Sequence, residues 1–240
     1  MPSLKTLRDR IANDIRRVGD PVITDTLGGL IDQKINVAKL TMVMDNNFKA
    51  MEQIAQVALA IDTQSYPQPD RFKSIVSDDE DGSVKVMKTD VTPNTIVTTL
   101  EGYSKARFDR LTLITDPEPR FYTVQEIDDA LNGIPLAFSL YREEFYLFPV
   151  TSDSSVVANR SLEISFYQVP EDYDSNDDED FFLTQGYNAL YYGAMAELMP
   201  VLRQDHRVEF FTIKAEAFAN QAAKVSLESE NAGATQHIRG

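Results

Sequence analysis

One run of residues, 123–228, constrains the fold most, because a capped helix, an aromatic hairpin, an acidic loop and two amphipathic helices follow one another there. Thr123 and Glu126 have the spacing of a capping box, which predicts a short helix over residues 124–132. Gly133 is placed to adopt a left-handed conformation after that helix, and Pro135 cannot continue it. The chain must therefore turn before the next element.

Two β-prone runs follow this turn. Residues 136–141 and 145–148 are aromatic and apolar, and the polar triplet 142–144 separates them, which predicts a β-hairpin that ends at Pro149. Farther along, residues 162–167 alternate apolar and polar side chains, as in a strand with one buried face. We expect this strand to pair with the hairpin.

The loop at residues 171–180 is strongly acidic, and its charges favour the positive end of a helix that begins after it. Apolar residues then recur at steps of three and four, which predicts two amphipathic helices in an antiparallel pair, the first stopped or kinked by Pro200. The first stripe comprises Leu183, Tyr187, Leu190, Tyr191, Ala194 and Leu198, and the second, a near-heptad seam, comprises Val208, Phe211, Ala215, Phe218, Ala222 and Val225.

The beginning of the chain has the same helical periodicity. A first helix, which residues 19–21 end, places Leu4, Leu7, Ile11, Ile15 and Val18 on one face. A second helix opens near Thr24 or Asp25, carries Leu27, Ile31, Ile35 and Ala38 on one face, and is expected to run past Phe48 to Ile54. We expect both helices to pack on the C-terminal pair as a four-helix bundle.

The middle of the chain is rich in β-branched and aromatic residues and is interrupted by prolines. It predicts strands at residues 57–61, 72–76, 84–87, 96–100 and 111–114, with a tight acidic turn at 78–82. The predicted fold class is therefore α+β, a helical bundle from the N- and C-terminal segments with a β-rich insert domain. The predicted domains are a bundle of residues 1–55 and 178–230, an insert of residues 56–177 and an extended C-terminal tail of residues 231–240.

Composition excludes several classes of function. The net charge of −15 argues against a general nucleic-acid binder, since phosphate contacts need a basic surface, and its simplest interpretation is solubility. The absence of cysteine excludes disulfides and thiolate chemistry. With no apolar run long enough to span a bilayer and no signal peptide, we expect a soluble protein made in a cytoplasm, without a membrane partner.

No catalytic, cofactor-binding or metal site is predicted. His206 and His237 lie far apart, and the acidic run 78–81 lacks the alternating ligands of a calcium loop. Motifs for nucleotide binding, serine hydrolases and zinc proteases are absent from the sequence. The tyrosines at 187, 191 and 192 are best explained by core and interface packing. A hydrolase that uses an Asp/Glu pair is the alternative from a different class.

Taken together, the order of these cues resembles the adaptor, or head-to-tail connector, proteins of short-tailed bacteriophages. The resemblance covers the second half of the chain and, in the first half, the helical opening. It is carried by Gly133 and Pro135, then Phe138, Leu147 and Pro149, the strand at 162–167, the acidic loop, the helix with Tyr187 and Tyr191, and a final helix opening near Asp205.

The resemblance implies a structural virion protein of the neck or tail. Such a protein forms a twelvefold ring beneath the portal protein, joins it to a tail nozzle or fibre protein, and lets double-stranded DNA pass without specific binding. A tail-tube or head-completion protein is the structural alternative. In the resembled family the C-terminal region reaches the portal, so we predict a portal contact at Gln236, His237, Ile238 and Arg239.

Overall fold

The computed structural model describes residues 2–17, 26–76, 82–90, 94–109 and 133–236. Contacts divide the chain into two compact units, Met1–Met51 with Val169–Gly240, and Glu52–Gln168. The first unit is helical and the second is built mainly from strands, which confirms the predicted α+β class. The unit boundaries fall before residues 52 and 169, whereas the sequence pattern placed them at 56 and 178.

The described residues form these elements. The helices are α1 (Leu4–Arg17), α2 (Thr26–Asp45), α3 (Lys105–Phe108), α4 (Ser154–Val157), α5 (Phe181–Thr184), α6 (Tyr187–Leu198) and α7 (Val208–Gln236), with 3₁₀ turns at Lys49–Met51 and Asp205–Arg207. The strands are β1 (Glu52–Ala58), β2 (Ser65–Pro67), β3 (Phe72–Ile75), β4 (Val84–Lys88), β5 (Thr95–Thr99), β6 (Glu101–Gly102), β7 (Ala137–Tyr141), β8 (Glu144–Phe148) and β9 (Arg160–Gln168).

Helix α6 is central to the helical unit, since it contacts α1, α2 and α7. The described part of the predicted apolar faces is confirmed, because Leu4, Leu7, Ile11 and Ile15 of α1 and Ile31, Ile35 and Ala38 of α2 are all buried. Val18 and the side chain of Leu27 lie outside the described part of the chain. The Ser3 side chain accepts a hydrogen bond from the Thr6 amide at the start of α1. The predicted end of α1 at residues 19–21 lies outside the described residues.

Helix α2 ends earlier than the sequence predicted. We expected it to run past Phe48 to Ile54, but it ends at Asp45, and Ile54 lies in strand β1 with its side chain exposed. Asn46 follows the helix, and its side-chain amide donates a 3.1 Å hydrogen bond to the Met42 carbonyl. Asparagine satisfies free carbonyls at a helix end better than it extends a helix, which explains the stop.

The C-terminal helices follow the predicted stripes with two local differences. The predicted first helix is broken after α5, where a Cβ atom on Gly186 would lie 2.9 Å from the Phe182 carbonyl oxygen. In α7 the buried seam reaches Ser226 rather than Val225, whose side chain is exposed. Ser226 can be buried there because its hydroxyl accepts a 3.0 Å hydrogen bond from the Lys49 amide.

The backbone of residues 231–236 belongs to α7, where an extended tail was expected. This segment contains Ala232 and Ala234, and alanine extends an existing helix at little cost because elongation needs no new nucleus. The remaining residues of the expected tail, 237–240, lie outside the described part of the chain.

The second unit contains two sheets that share one core. The first sheet has the order β1-β9-β4-β5, with β3 also paired to β9, and the second has the order β2-β8-β7-β6. Their shared core includes Tyr66, Phe138, Phe145, Leu162 and Ile164. The rings of Phe72 and Phe145, from the two sheets, meet edge to face at 5.7 Å. Aromatic packing between the sheets is therefore a main part of this core.

The predicted strand at 162–167 exists as part of β9, but its expected partner was wrong. We expected it to pair with the hairpin, whereas β9 pairs antiparallel with β1, β3 and β4, and the hairpin lies in the other sheet. Leu162, Ile164 and Phe166 are buried as the alternation predicted. The apolar face thus meets the hairpin across the core rather than beside it.

The hairpin itself is confirmed, since β7 pairs antiparallel with β8 from Ala137 opposite Phe148 to Tyr141 opposite Glu144. Its turn has two residues rather than three, Arg142 and Glu143, with φ of 51° and 64°. Gly133 has the predicted left-handed conformation, with φ of 76°. The predicted helix 124–132, the strand at 111–114 and residues 78–81 of the acidic turn lie outside the described residues.

Candidate interaction surfaces

The acidic loop at residues 171–180 is held to the helical unit by a buried lysine of α2. The Lys39 side chain is about 5% exposed, its Nζ donates a 2.6 Å hydrogen bond to the Glu171 carbonyl, and it lies 3.2 Å from Oδ2 of Asp180. The same Nζ lies 3.6 Å from the centre of the Tyr173 ring. Burial lowers the pKa of Lys39, and the Asp180 carboxylate opposes that shift.

Asp180 connects three parts of this network. Its Oδ1 accepts hydrogen bonds from the Leu183 amide at 2.8 Å, which caps α5, and from the Tyr173 hydroxyl at 2.7 Å. Burial, and then the nearby Asp180 charge, raise the pKa of Tyr173 well above its ordinary value. The backbone of Tyr173 is bound on both sides by the Asn36 side chain, at 2.8 and 3.1 Å.

Helix α1 holds the middle of the same loop. Arg8 makes a two-pronged ion pair with Asp32 at 2.6 and 2.5 Å, and its third nitrogen donates to the Asn176 side chain at 2.6 Å. The Leu4 and Lys5 amides at the helix start donate to carbonyls of the loop at 3.3 Å. The loop is therefore anchored to both N-terminal helices by a few residues, while most of its side chains are exposed to solvent.

The tyrosines of α6 are packed as predicted. Tyr191 is buried, its hydroxyl donates a 2.8 Å hydrogen bond to Asp14, and the Arg10 guanidinium lies 4.1 Å from the centre of its ring. Tyr192 stacks in parallel on Phe218 of α7, with ring centres 5.4 Å apart. These rings connect α1, α6 and α7, which accounts for their helical spacing.

A groove of about 320 Å³ lies among α2, α6 and α7. We call it the α2/α6/α7 groove. The helices approach closely there, since a Cβ atom on Gly193 would lie 2.9 Å from Cβ of Ala38. Asp45 and Glu216 are exposed at its rim. The small residues that line it are Ala38, Ala189, Gly193, Ala196, Ala215 and Ala219.

Helix α7 also carries a second, exposed apolar surface. The side chains of Phe210 and Ile213 are 56% and 57% exposed, although α7 buries its other face. The exposed residues Phe210, Ile213, Lys214, Ala217 and Lys224 share one side of the helix, and we call them the α7 ridge. At 100° per residue this side is turned well away from the buried seam, and it borders the groove, since Asn220 of the groove lining lies one face over from Ile213.

Of the predicted portal-contact residues, Gln236 is the last residue of α7. His237, Ile238 and Arg239 lie outside the described residues, so the portal contact stays a prediction. His206 is exposed in the 3₁₀ turn before α7. Over the part of the chain that the structure describes, no group of three or more His, Asp or Glu side chains is arranged to hold a metal ion.

Sequence reasoning missed two of these surfaces. Lys39 looks like an ordinary exposed helix lysine, and only its position beside the buried Ala38 and Ile35 hinted at a buried amine. Phe210 and Ile213 lie outside the seam that was identified, and their regular spacing on the opposite side of α7 was the available signal.

None of the described helices is both long and apolar enough to cross a membrane.

Comparison with known proteins identifies the chain over nearly its whole length. The sequence model of the SU10 adaptor protein family matches residues 2–238, so it spans both the helical and the β-rich unit. No curated protein matches the chain. The extent of the family match includes the acidic loop, the α2/α6/α7 groove and the α7 ridge. On this basis the chain belongs to the SU10 adaptor protein family.

Proposed function

We propose that this phage adaptor is a structural virion protein that forms a ring beneath the portal and joins the portal to the tail. The observation that carries the proposal is the family match over residues 2–238, which covers both units rather than one module. A structural role agrees with the described surfaces, since the carboxylates at the groove are at its rim and Glu197 pairs with Lys34 at 3.4 Å.

In this proposal the helical unit docks on the portal and the β-rich unit meets a nozzle or fibre protein. Weak contacts between copies become effective once several copies are held on one portal, because binding to a shared surface raises their local concentration. The resemblance to head-to-tail connectors favours twelve copies in the ring. The assembled protein lies in the neck or tail of the virion, after synthesis in the host cytoplasm.

Mass measurement of the purified protein with and without the portal of the same virus tests this function. We expect a low-mass species alone and a ring on the portal, detected by analytical ultracentrifugation or native mass spectrometry. A protein that stays monomeric with the portal present would contradict the proposal. Assembly on a tail tube, with no portal bound, would instead support the alternative structural role.

We further propose that the end of the chain, Gln236, His237, Ile238 and Arg239, contacts the portal. The support is the family resemblance, together with a helix α7 that extends to Gln236. Deletion of residues 237–240 leaves α7 intact and should weaken portal binding. Unchanged portal affinity would refute this contact, and deletion of residues 231–240 serves as the more severe variant.

The acidic charge suits a channel through which DNA passes. A chain with net charge −15 repels phosphates, so a ring of such chains offers a duplex few attractive contacts. We propose that double-stranded DNA passes through the ring without specific binding. DNA retention by the assembled ring at low salt measures this directly, and tight, sequence-independent retention would rule it out.

A further inference from the structure

The α7 ridge and the α2/α6/α7 groove are complementary in shape. The ridge presents two large apolar side chains, Phe210 and Ile213, that water covers in the isolated chain. The groove is a recess of about 320 Å³ with a floor of small side chains. Exposed large apolar groups of this kind commonly mark a protein interface, and small side chains leave room for them.

The two surfaces are also complementary in charge. Lys214 lies beside Phe210 on the ridge, with Nζ 6.0 Å from the ring centre, and Lys224 is exposed on the same side of the helix. Asp45 and Glu216 are exposed at the groove rim. In a chain with 23 basic and 38 acidic residues, copies repel one another overall. A contact between copies therefore needs a local arrangement of this kind.

We propose that the α7 ridge of one copy docks in the α2/α6/α7 groove of the next copy, and that this is the lateral contact of the ring. The inference rests on the proposed function, in which copies assemble side by side. A ridge and a groove are different surfaces of the same chain, so the contact is heterologous. As copies are added head to tail, the row always keeps one unoccupied ridge at one end and one unoccupied groove at the other. A closed ring is the arrangement in which these two end surfaces also bind each other.

Cysteine cross-linking tests the contact, because the chain has no cysteine of its own. One variant carries Ile213→Cys on the ridge and Thr41→Cys, an exposed position that lines the groove. Under oxidation on the portal, this double variant should form a ladder of multimers, whereas each single variant should not. Disulfides require Cα atoms within about 7 Å, so a ladder demonstrates direct ridge-to-groove contact.

The matched control pairs Thr41→Cys with Ile54→Cys, an exposed apolar residue of β1. If this control gives the same ladder, cross-linking reflects crowding and the inference is overturned. If the wild-type protein forms rings but the ridge-and-groove variant stays uncross-linked, only this contact is wrong. If the wild-type protein forms no ring, both the contact and the proposed function fail.

Charge exchange provides a second, independent measurement. Lys214→Glu or Glu216→Lys alone should raise the concentration needed for ring formation by roughly 10-fold. The double variant, K214E with E216K, restores opposite charges across the contact and should recover much of that loss. Phe210→Ser should weaken assembly by about 10-fold to 30-fold without unfolding the chain, since Phe210 is exposed.

Two outcomes of these variants would overturn the inference. If the double variant K214E with E216K weakens ring formation by the sum of the two single effects, the two residues do not face each other. Weaker binding of single copies of the Phe210→Ser variant to the portal, at one copy per portal ring, would assign the ridge to the portal instead. Circular dichroism and thermal unfolding confirm that each variant is folded before assembly is measured.

Discussion

At the scale of single residues, the helical unit depends on polar groups that its fold removes from water. Lys39 is buried, yet its ammonium group has a carbonyl, a carboxylate and an aromatic ring as neighbours. A buried charge is tolerated only with such partners, since an unpaired one is strongly destabilising. The acidic loop is thus fixed by a few specific contacts, and their removal has large effects.

Replacement of Asp180 by alanine should destabilise the protein by about 3 kcal/mol. It removes the cap of α5, the partner of the Tyr173 hydroxyl and the counter-charge of Lys39 together. Asp180→Asn keeps an acceptor for the cap and should cost less. Urea unfolding measures both, and Asp177→Ala, exposed in the same loop, should change the free energy by less than about 0.5 kcal/mol.

Tyr191 should make the free energy of unfolding fall as the pH becomes alkaline. Burial, and then the hydrogen bond to Asp14, raise the pKa of Tyr191 above its ordinary value of 10.0. The folded state therefore favours the neutral phenol, so this contribution is complete below about pH 10 and is lost as the pH rises toward the folded-state pKa.

Unfolding free energies of the wild-type protein and Tyr191→Phe, measured from pH 7 to 11, isolate this effect. The variant should be less stable by about 1 to 2 kcal/mol at pH 7, because it loses the bond to Asp14. The difference between the two proteins should shrink above about pH 10. A constant difference over the whole range would contradict the assignment.

At the scale of elements, the hairpin of β7 and β8 shows a turn whose backbone and sequence disagree. Arg142 and Glu143 both have positive φ, which side chains with a Cβ atom rarely adopt. Such two-residue turns match the twist of the strands that they join, and they normally contain Asn and Gly. The strands hold this turn because their pairing and the core beneath them outweigh its local cost.

Replacement of Arg142 and Glu143 by Asn and Gly should therefore stabilise the protein by about 1 kcal/mol. The new residues adopt positive φ without a steric penalty, and the strand register does not change. Chemical unfolding of the two proteins gives the difference. As a comparison, Arg142→Ala keeps a Cβ atom at that position and should give no stabilisation.

At the scale of the whole molecule, the β-rich unit is an insert in a helical one. The unit begins at Glu52 and ends at Gln168, and Glu52 pairs directly with Tyr167 in the first sheet. The chain therefore enters and leaves this unit at neighbouring positions, and paired strands place their Cα atoms about 5 Å apart. An insertion with adjacent ends disturbs the host unit little.

A fragment of residues 52–168 should consequently fold by itself, with its own two-sheet core. The complementary variant, in which a short glycine-rich linker replaces residues 52–168, should keep the helical unit folded. Circular dichroism should show strand content in the first and helix content in the second, each with cooperative thermal unfolding. Absence of a cooperative transition in either fragment would show that the units depend on one another for stability.

Much of the fold followed from local patterns, because helices and turns are stabilised by residues close in sequence. The buried faces of α1 and α2, the hairpin and the left-handed Gly133 were predicted for that reason. The C-terminus of α2 was placed too late, since apolar residues continue past Asp45 in the sequence, whereas in the structure the Asn46 side chain bonds back to the Met42 carbonyl where the helix ends.

By itself, the sequence determined the fold class, the faces of its helices and its membership of a phage adaptor family. Only the tertiary structure decided that β9 lies between β1 and β4, because strand edges present the same backbone groups and do not encode their partner. It also decided that Lys39 is buried and that Phe210 and Ile213 are exposed. Burial depends on which distant elements cover a residue, and periodicity along one helix does not contain that information.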